Sequence, residues 1–154
     1  EGRSVEDVAP VLNERHFTAR QNNFLVRNVN QMLANIESGR EQVADARTKG
    51  RFDGTDPEPR PSRKKGHIPG SVCLPVSALM DPKTNFIFRS ADEIIAAVEG
   101  ACIDPAKPLV ATCGSGVTAC VIAMALYLVG YKETAVYDGS WAEWGDHYDT
   151  PVET

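Results

Sequence analysis

The stretch PLVATCGSGVTACVIA, residues 108–123, sets Cys113 between a continuous apolar run and a glycine-spaced turn that leads into a helix. Such a run is what a strand buried on both faces of a parallel sheet requires. In open α/β sheets, ligands bind beyond the C-terminal ends of the strands. Gly114 and Gly116 permit positive φ and close backbone approach. A helix starting at Gly116 or Val117 leaves its first N–H groups unpaired and turned back into the loop, a nest for an anion. Here the anion can be the cysteine's own thiolate, because a helix N-terminus lowers a cysteine pKa from about 8.5 into the range of roughly 3.5–7.5. Cys113 is therefore a predicted nucleophile, with a buried strand-end cysteine as the alternative these residues leave open.

The same loop excludes other chemistries. It lacks the GxxxxGK[ST] pattern of a nucleotide P-loop. Ala119 stands six residues after the cysteine, where Cys-x5-Arg phosphatases keep an arginine. His16, His67 and His147 are the available bases for a cysteine protease, and none has a protease context. Of the four cysteines, Cys73, Cys102, Cys113 and Cys120, none forms CxxC or a Cys/His cluster of zinc spacing. No metal and no cofactor is expected. Cysteines without a staple framework point to a reducing compartment, cytoplasmic or the mitochondrial matrix.

The elements that must position Cys113 follow from periodicity. Apolar residues at helical spacing predict a helix over 23–38, stopped by Gly39. QVADAR (42–47) and SVCLPV (71–76) read as strands, separated by a long charged loop rich in proline and glycine. Ser90 and Glu93 form a capping box for a helix over 90–101. PLVATC (108–113) and TAVYD (134–138) are further strands. The nearly all-apolar segment 116–130 predicts a helix buried on most sides, with Cys120 in the core. A short helix capped by Ser140 follows. Alternating strands and helices define an α/β domain over 23–150, with a mainly parallel central sheet flanked by helices on both faces; residues 1–22 read as a linker or N-terminal arm.

The chain has 154 residues, 42% hydrophobic and 24% charged, with net charge −5, which suits one domain with a real core and argues against nucleic acid as a partner. The longest apolar stretch, near 119–129, is too short to cross a bilayer, so no membrane is expected as a partner. The polar N-terminus shows no signal peptide. Residues 47–65 carry seven basic residues against three acidic ones. A basic loop on an acidic body suits a small anionic ligand, although most such residues, Lys64 and Lys65 among them, read as solvated.

CGSGVTA after PLVAT resembles the active-site loop of the rhodanese-fold sulfurtransferases, specifically the 3-mercaptopyruvate sulfurtransferases. VADARTKGRFDGTDPEPR (43–60), GHIPGSV (66–72) and YDGSWAEW (137–144) agree in order and spacing. The resemblance implies a rhodanese-like catalytic domain in which the Cys113 thiolate takes sulfur from 3-mercaptopyruvate and passes it to a thiol acceptor such as thioredoxin, or to cyanide. It implies Arg51 and Arg60 as holders of the substrate, Ser115 as a catalytic hydroxyl, and Gly114, Ser115, Gly116, Val117 and Thr118 as backbone donors to the persulfide. His67 is expected to fix a turn, and Trp141 and Trp144 to wall the loop. Thiosulfate-using relatives commonly carry cations in the loop after the cysteine; this loop is uncharged, which favours mercaptopyruvate. The alternatives are a thiosulfate:cyanide sulfurtransferase or a non-catalytic rhodanese module. Members of the family usually carry two modules, the first without the cysteine. This chain matches the second, which implies a further N-terminal rhodanese module in the full-length protein.

Overall fold

In the computed structural model, which describes all residues except Glu1, Arg3, Pro10, Leu12, Gln21 and Asn85, the apolar residues of each strand alternate between two cores. Five parallel strands form one sheet: β1 (Val26–Arg27), β7 (Thr134–Tyr137), β6 (Leu109–Thr112), β2 (Gln42–Asp45) and β3 (Val72–Cys73), adjacent in that order. Val43, Val110, Ala135 and Tyr137 meet Met32, Trp141 and Trp144 on one face. Ala44, Leu109, Ala111 and Val136 meet Leu79, Ile94, Val98, Ile122 and Leu126 on the other. The period of two thus places α1 (Val29–Ser38) and α6 (Ser140–Trp144) against α3 (Val76–Leu79), α4 (Ala91–Gly100) and α5 (Val117–Leu128) across the sheet. A separate antiparallel pair joins β4 (Met80–Asp81) and β5 (Ile87–Phe88).

The expected α/β architecture stands, with local corrections. The helix expected over 23–38 starts at Val29, because Asn28 and Gln31 form a capping box. Before it lie a 3-10 turn, Asn23–Leu25, and the edge strand β1. The described residues up to Asn22 contain no helix or strand. The strand expected over 71–76 shortens because Pro75, which has no N–H, caps α3. The long loop contains one helical turn, α2 (Lys49–Phe52). The helix over 90–101 keeps its Ser90/Glu93 capping box.

Helix α5 departs from expectation. It buries Ala119, Ile122, Ala125 and Leu126 but exposes Val117, Met124, Tyr127 and Leu128. Cys120 is exposed with them and is not a core residue. A helix against a sheet buries one face only, and an apolar composition all round does not say which.

From β6 the chain crosses through α5 to its neighbour β7. From β2 it crosses by the opposite face, where Ile68 is buried, to β3 on the other side. The two connections diverge between β2 and β6, leaving a crevice beyond their C-terminal ends, where such sheets bind ligands.

Candidate active site

Strand β6 ends at Thr112, so Cys113 is the first residue beyond it, with 1% exposure. Its loop is held by its carbonyls: Trp141 N–H donates to Cys113 O and Ala142 N–H to Gly114 O, each at 2.9 Å. Ser115 N–H donates to Cys113 Sγ at 3.4 Å. Burial pushes the Cys113 thiol up, but the Thr118 hydroxyl, the Ser115 and Ala119 N–H groups and the Ser140 hydroxyl outweigh it and hold the thiol below its ordinary value.

The turn requires glycine at position 116. Gly116 has φ +84, and a Cβ there would lie 2.8 Å from Asp138 O. Its N–H, which the resemblance implies as a donor to the persulfide, here donates to Ser140 Oγ at 3.1 Å. Thr118 contributes its hydroxyl; Val117 is exposed on the cavity wall.

Ser140 is the residue sequence reasoning misplaced. It does not cap α6; Gly139 occupies that position. Ser140 is fully buried with φ +49. Its Oγ accepts from Cys113 N–H and Gly116 N–H, each at 3.1 Å, and its one proton can go to either Tyr137 O at 2.8 Å or Cys113 Sγ at 3.9 Å. A non-glycine residue held in left-handed backbone while buried is a local signal of function, but it is visible only in the fold.

A cavity of about 270 Å³ opens beside the loop, lined by Arg51, Glu58, Arg60, Cys113, Ser115 and Trp141 among others. The structure therefore brings Cys113, Gly114, Ser115, Val117, Thr118, Arg51 and Arg60 to one place. Arg51, on α2, is seated over the loop, since a Cβ on Gly114 would lie 2.7 Å from its Nη2. Arg60 is exposed at the mouth and makes no ion pair among the described residues.

An ion-pair chain behind the cavity was not foreseen. Arg47, with no exposed side-chain surface, pairs with Asp45 at 2.7 Å and Glu58 at 2.8 Å. Its guanidinium lies 4.3 Å from the Trp141 ring centroid. Glu58 bridges onward to Arg51 Nη2 at 2.6 Å. Burial pushes the Glu58 carboxyl up, but Arg51 and Arg47 more than offset this and hold it below the usual carboxylate range.

Other expectations resolve individually. His67 Nδ1 bonds Phe52 O at 2.9 Å while its ring stacks on Phe52, which ties this segment to α2, whereas the turn before β3 is closed by Ser71, whose N–H and hydroxyl donate to Ile68 O. Trp141 walls the cavity, whereas Trp144 is core and donates to Pro151 O. Lys64 is not a solvated charge: its Nζ binds the His147 and Thr150 carbonyls and the Thr150 hydroxyl. Its four methylenes and point charge suit several carbonyls at once. Cys73 is half-buried and Cys102 exposed. No group of three or more potential metal ligands and no helix long and apolar enough to cross a membrane occurs among the described residues.

An open parallel sheet that presents a thiol to N–H and hydroxyl donors at its switch point places the chain among α/β domains with a cysteine cradled at the mouth of a helix. Within that class, the chain belongs to the rhodanese-like domain family, whose model matches residues 28–147. It is 43% identical over 128 residues to human 3-mercaptopyruvate sulfurtransferase, covering 83% of this chain and 42% of that protein. It is 45% identical over 140 residues to bovine thiosulfate sulfurtransferase, covering 90% and 46%. Among solved structures, the 3-mercaptopyruvate sulfotransferase SseA of Escherichia coli superposes with TM-score 0.70 at 33% identity, covering 88% of this chain and 49% of that one. The chain spans less than half the length of these relatives.

Proposed function

We propose that this domain is the catalytic module of a sulfurtransferase that takes sulfur from 3-mercaptopyruvate. The Cys113 thiolate attacks the substrate sulfur. An S–S bond forms, the C–S bond breaks, and its electron pair leaves on carbon as the enolate of pyruvate, which a proton converts to pyruvate. Cys113 then carries the outer sulfur, and a thiol acceptor such as thioredoxin, or cyanide, removes it and restores the thiolate. The amide cradle stabilises anionic sulfur before and after transfer. Arg51 and Arg60 hold the substrate carboxylate and keto oxygen, for which paired guanidinium donors are suited. Ser115, whose N–H already donates to the sulfur, supplies the hydroxyl assigned to hydrogen-bond it or pass a proton.

The observation that carries this reading is the Cys113 sulfur facing loop donors with Arg51 seated over Gly114 in the same cavity. The reading of the sulfur donor rests on that uncharged loop together with two arginines supplied from the neighbouring strand's connection. Steady-state kinetics with mercaptopyruvate and thiosulfate test it: a higher kcat/KM for mercaptopyruvate is expected, and an equal or higher value for thiosulfate overturns the preference. Mass spectrometry after incubation with mercaptopyruvate should show one added sulfur atom on Cys113. Cys113→Ser should abolish both the adduct and turnover, and transfer that survives this substitution contradicts the mechanism.

A further inference from the structure

We propose that Glu58 is a positioning and specificity-determining residue, one that orients Arg51 and cancels its charge so that the cavity accepts a singly charged anion in preference to a doubly charged one. The inference rests on reading this cavity as the site of the sulfur-donating substrate. Behind the cavity, charges alternate without a gap: Asp45 to Arg47 at 2.7 Å, Arg47 to Glu58 at 2.8 Å, Glu58 to Arg51 at 2.6 Å. Two carboxylates balance two guanidiniums, so the chain of four is neutral. Among the charged side chains lining the cavity besides the reacting Cys113, namely Arg51, Glu58 and Arg60, Arg60 is then the one cation left uncompensated. A monoanionic carboxylate matches that single positive charge. A dianion brings a second negative charge toward the Cys113 thiolate, with no second free cation among the described lining residues to offset it.

Geometry couples this charge to orientation. The Glu58 carboxylate contacts Arg51 through Nε at 3.2 Å as well as Nη2, which fixes the plane of the guanidinium. In that plane Nη2 stands 2.7 Å from where a Cβ on Gly114 would be. A long cationic side chain at position 114 therefore clashes with Arg51 as Glu58 holds it. The uncharged loop and the Glu58-bound arginine are two parts of one arrangement.

The test compares Glu58→Gln with the parent chain by two readouts. One is the ratio of kcat/KM for thiosulfate to that for mercaptopyruvate, with cyanide as acceptor. The other, which needs no turnover, is protection of Cys113 from iodoacetamide by pyruvate, a monoanion, and by sulfate, a dianion. Losing one negative charge within the cavity should shift both ratios toward the dianion by about tenfold or more, given the strength of charge interactions in partly screened sites. Unchanged ratios in a folded Glu58→Gln protein overturn the proposal. Should that variant not fold, Arg60→Gln applies the opposite change at an exposed position. It is expected to weaken sulfate protection several-fold more than pyruvate protection, and equal weakening overturns the proposal. Absence of sulfur transfer in the parent chain would refute the proposed function, while the charge claim would still be decided by the protection ratios.

Discussion

At the scale of single residues, the site depends on where hydrogen-bond donors and acceptors are sent. The sulfur of Cys113 is buried, and burial alone would favour the neutral thiol. Thr118, Ser115, Ala119 and Ser140 outweigh that burial and bring the thiol below its ordinary pKa. Ser140 also satisfies two loop amides, those of Cys113 and Gly116. Ser140→Ala leaves both amides buried without a partner, at a cost of about 1–3 kcal/mol for each orphaned group. The expected result is a lower Tm, seen by thermal denaturation, together with slower alkylation of Cys113 at neutral pH. A variant that loses stability but keeps the alkylation rate would show that Ser140 supports the fold without tuning the sulfur.

At the scale of elements, the site sits where two connections leave the sheet in opposite directions. Gly116 makes the turn from β6 into α5 possible, with φ +84 beside Asp138 O. Gly116→Ala is therefore expected to cost about 1–3 kcal/mol for the strained backbone, read by denaturant titration, and to impair sulfur loading as the amides shift. The buried face of α5 carries the packing. Ile122→Ala should cost about 2–5 kcal/mol, while Met124→Ala on the exposed face should stay within about 0.5 kcal/mol. These local devices were largely legible beforehand. The apolar run, the glycine pair and the Ser90/Glu93 box each rest on neighbours in sequence. Which face of α5 meets the sheet was not legible, since its residues are apolar on every side and only tertiary contact chooses among them. Asn28 also escaped notice, because a stripe of apolar residues on both sides of it concealed the cap.

At the scale of the whole molecule, the features that sequence did not disclose are those joining distant segments. Asp45, Arg47 and Glu58 read as members of a strand end and a charged loop. Only the fold stacks Arg47 over Trp141, nearly a hundred positions away, and turns apparent surface charge into a buried network. Lys64 likewise ties the Arg60-bearing loop to the segment from His147 to Thr150. Lys64→Met should leave those carbonyls without their shared cation, lower the Tm and raise the KM for the sulfur-donating substrate more than it lowers kcat.

The Glu58 carboxyl predicts a pH dependence. Because its folded pKa is depressed, its contribution to stability is fully present above the unfolded value of about 4.3 and is lost as pH falls through the folded value. Glu58→Gln should therefore flatten the acid limb of the stability profile, measured by denaturation across that range. An unaltered acid limb would contradict the bridging role. The central claim is that amides and hydroxyls at the mouth of α5 stabilise the Cys113 thiolate and lower the pKa of its thiol. Its most direct test is the rate of Cys113 alkylation by iodoacetamide against pH, followed on the Cys113 peptide by mass spectrometry. A midpoint clearly below the free-cysteine value of about 8.5 is expected; a midpoint at or above that value would contradict the account.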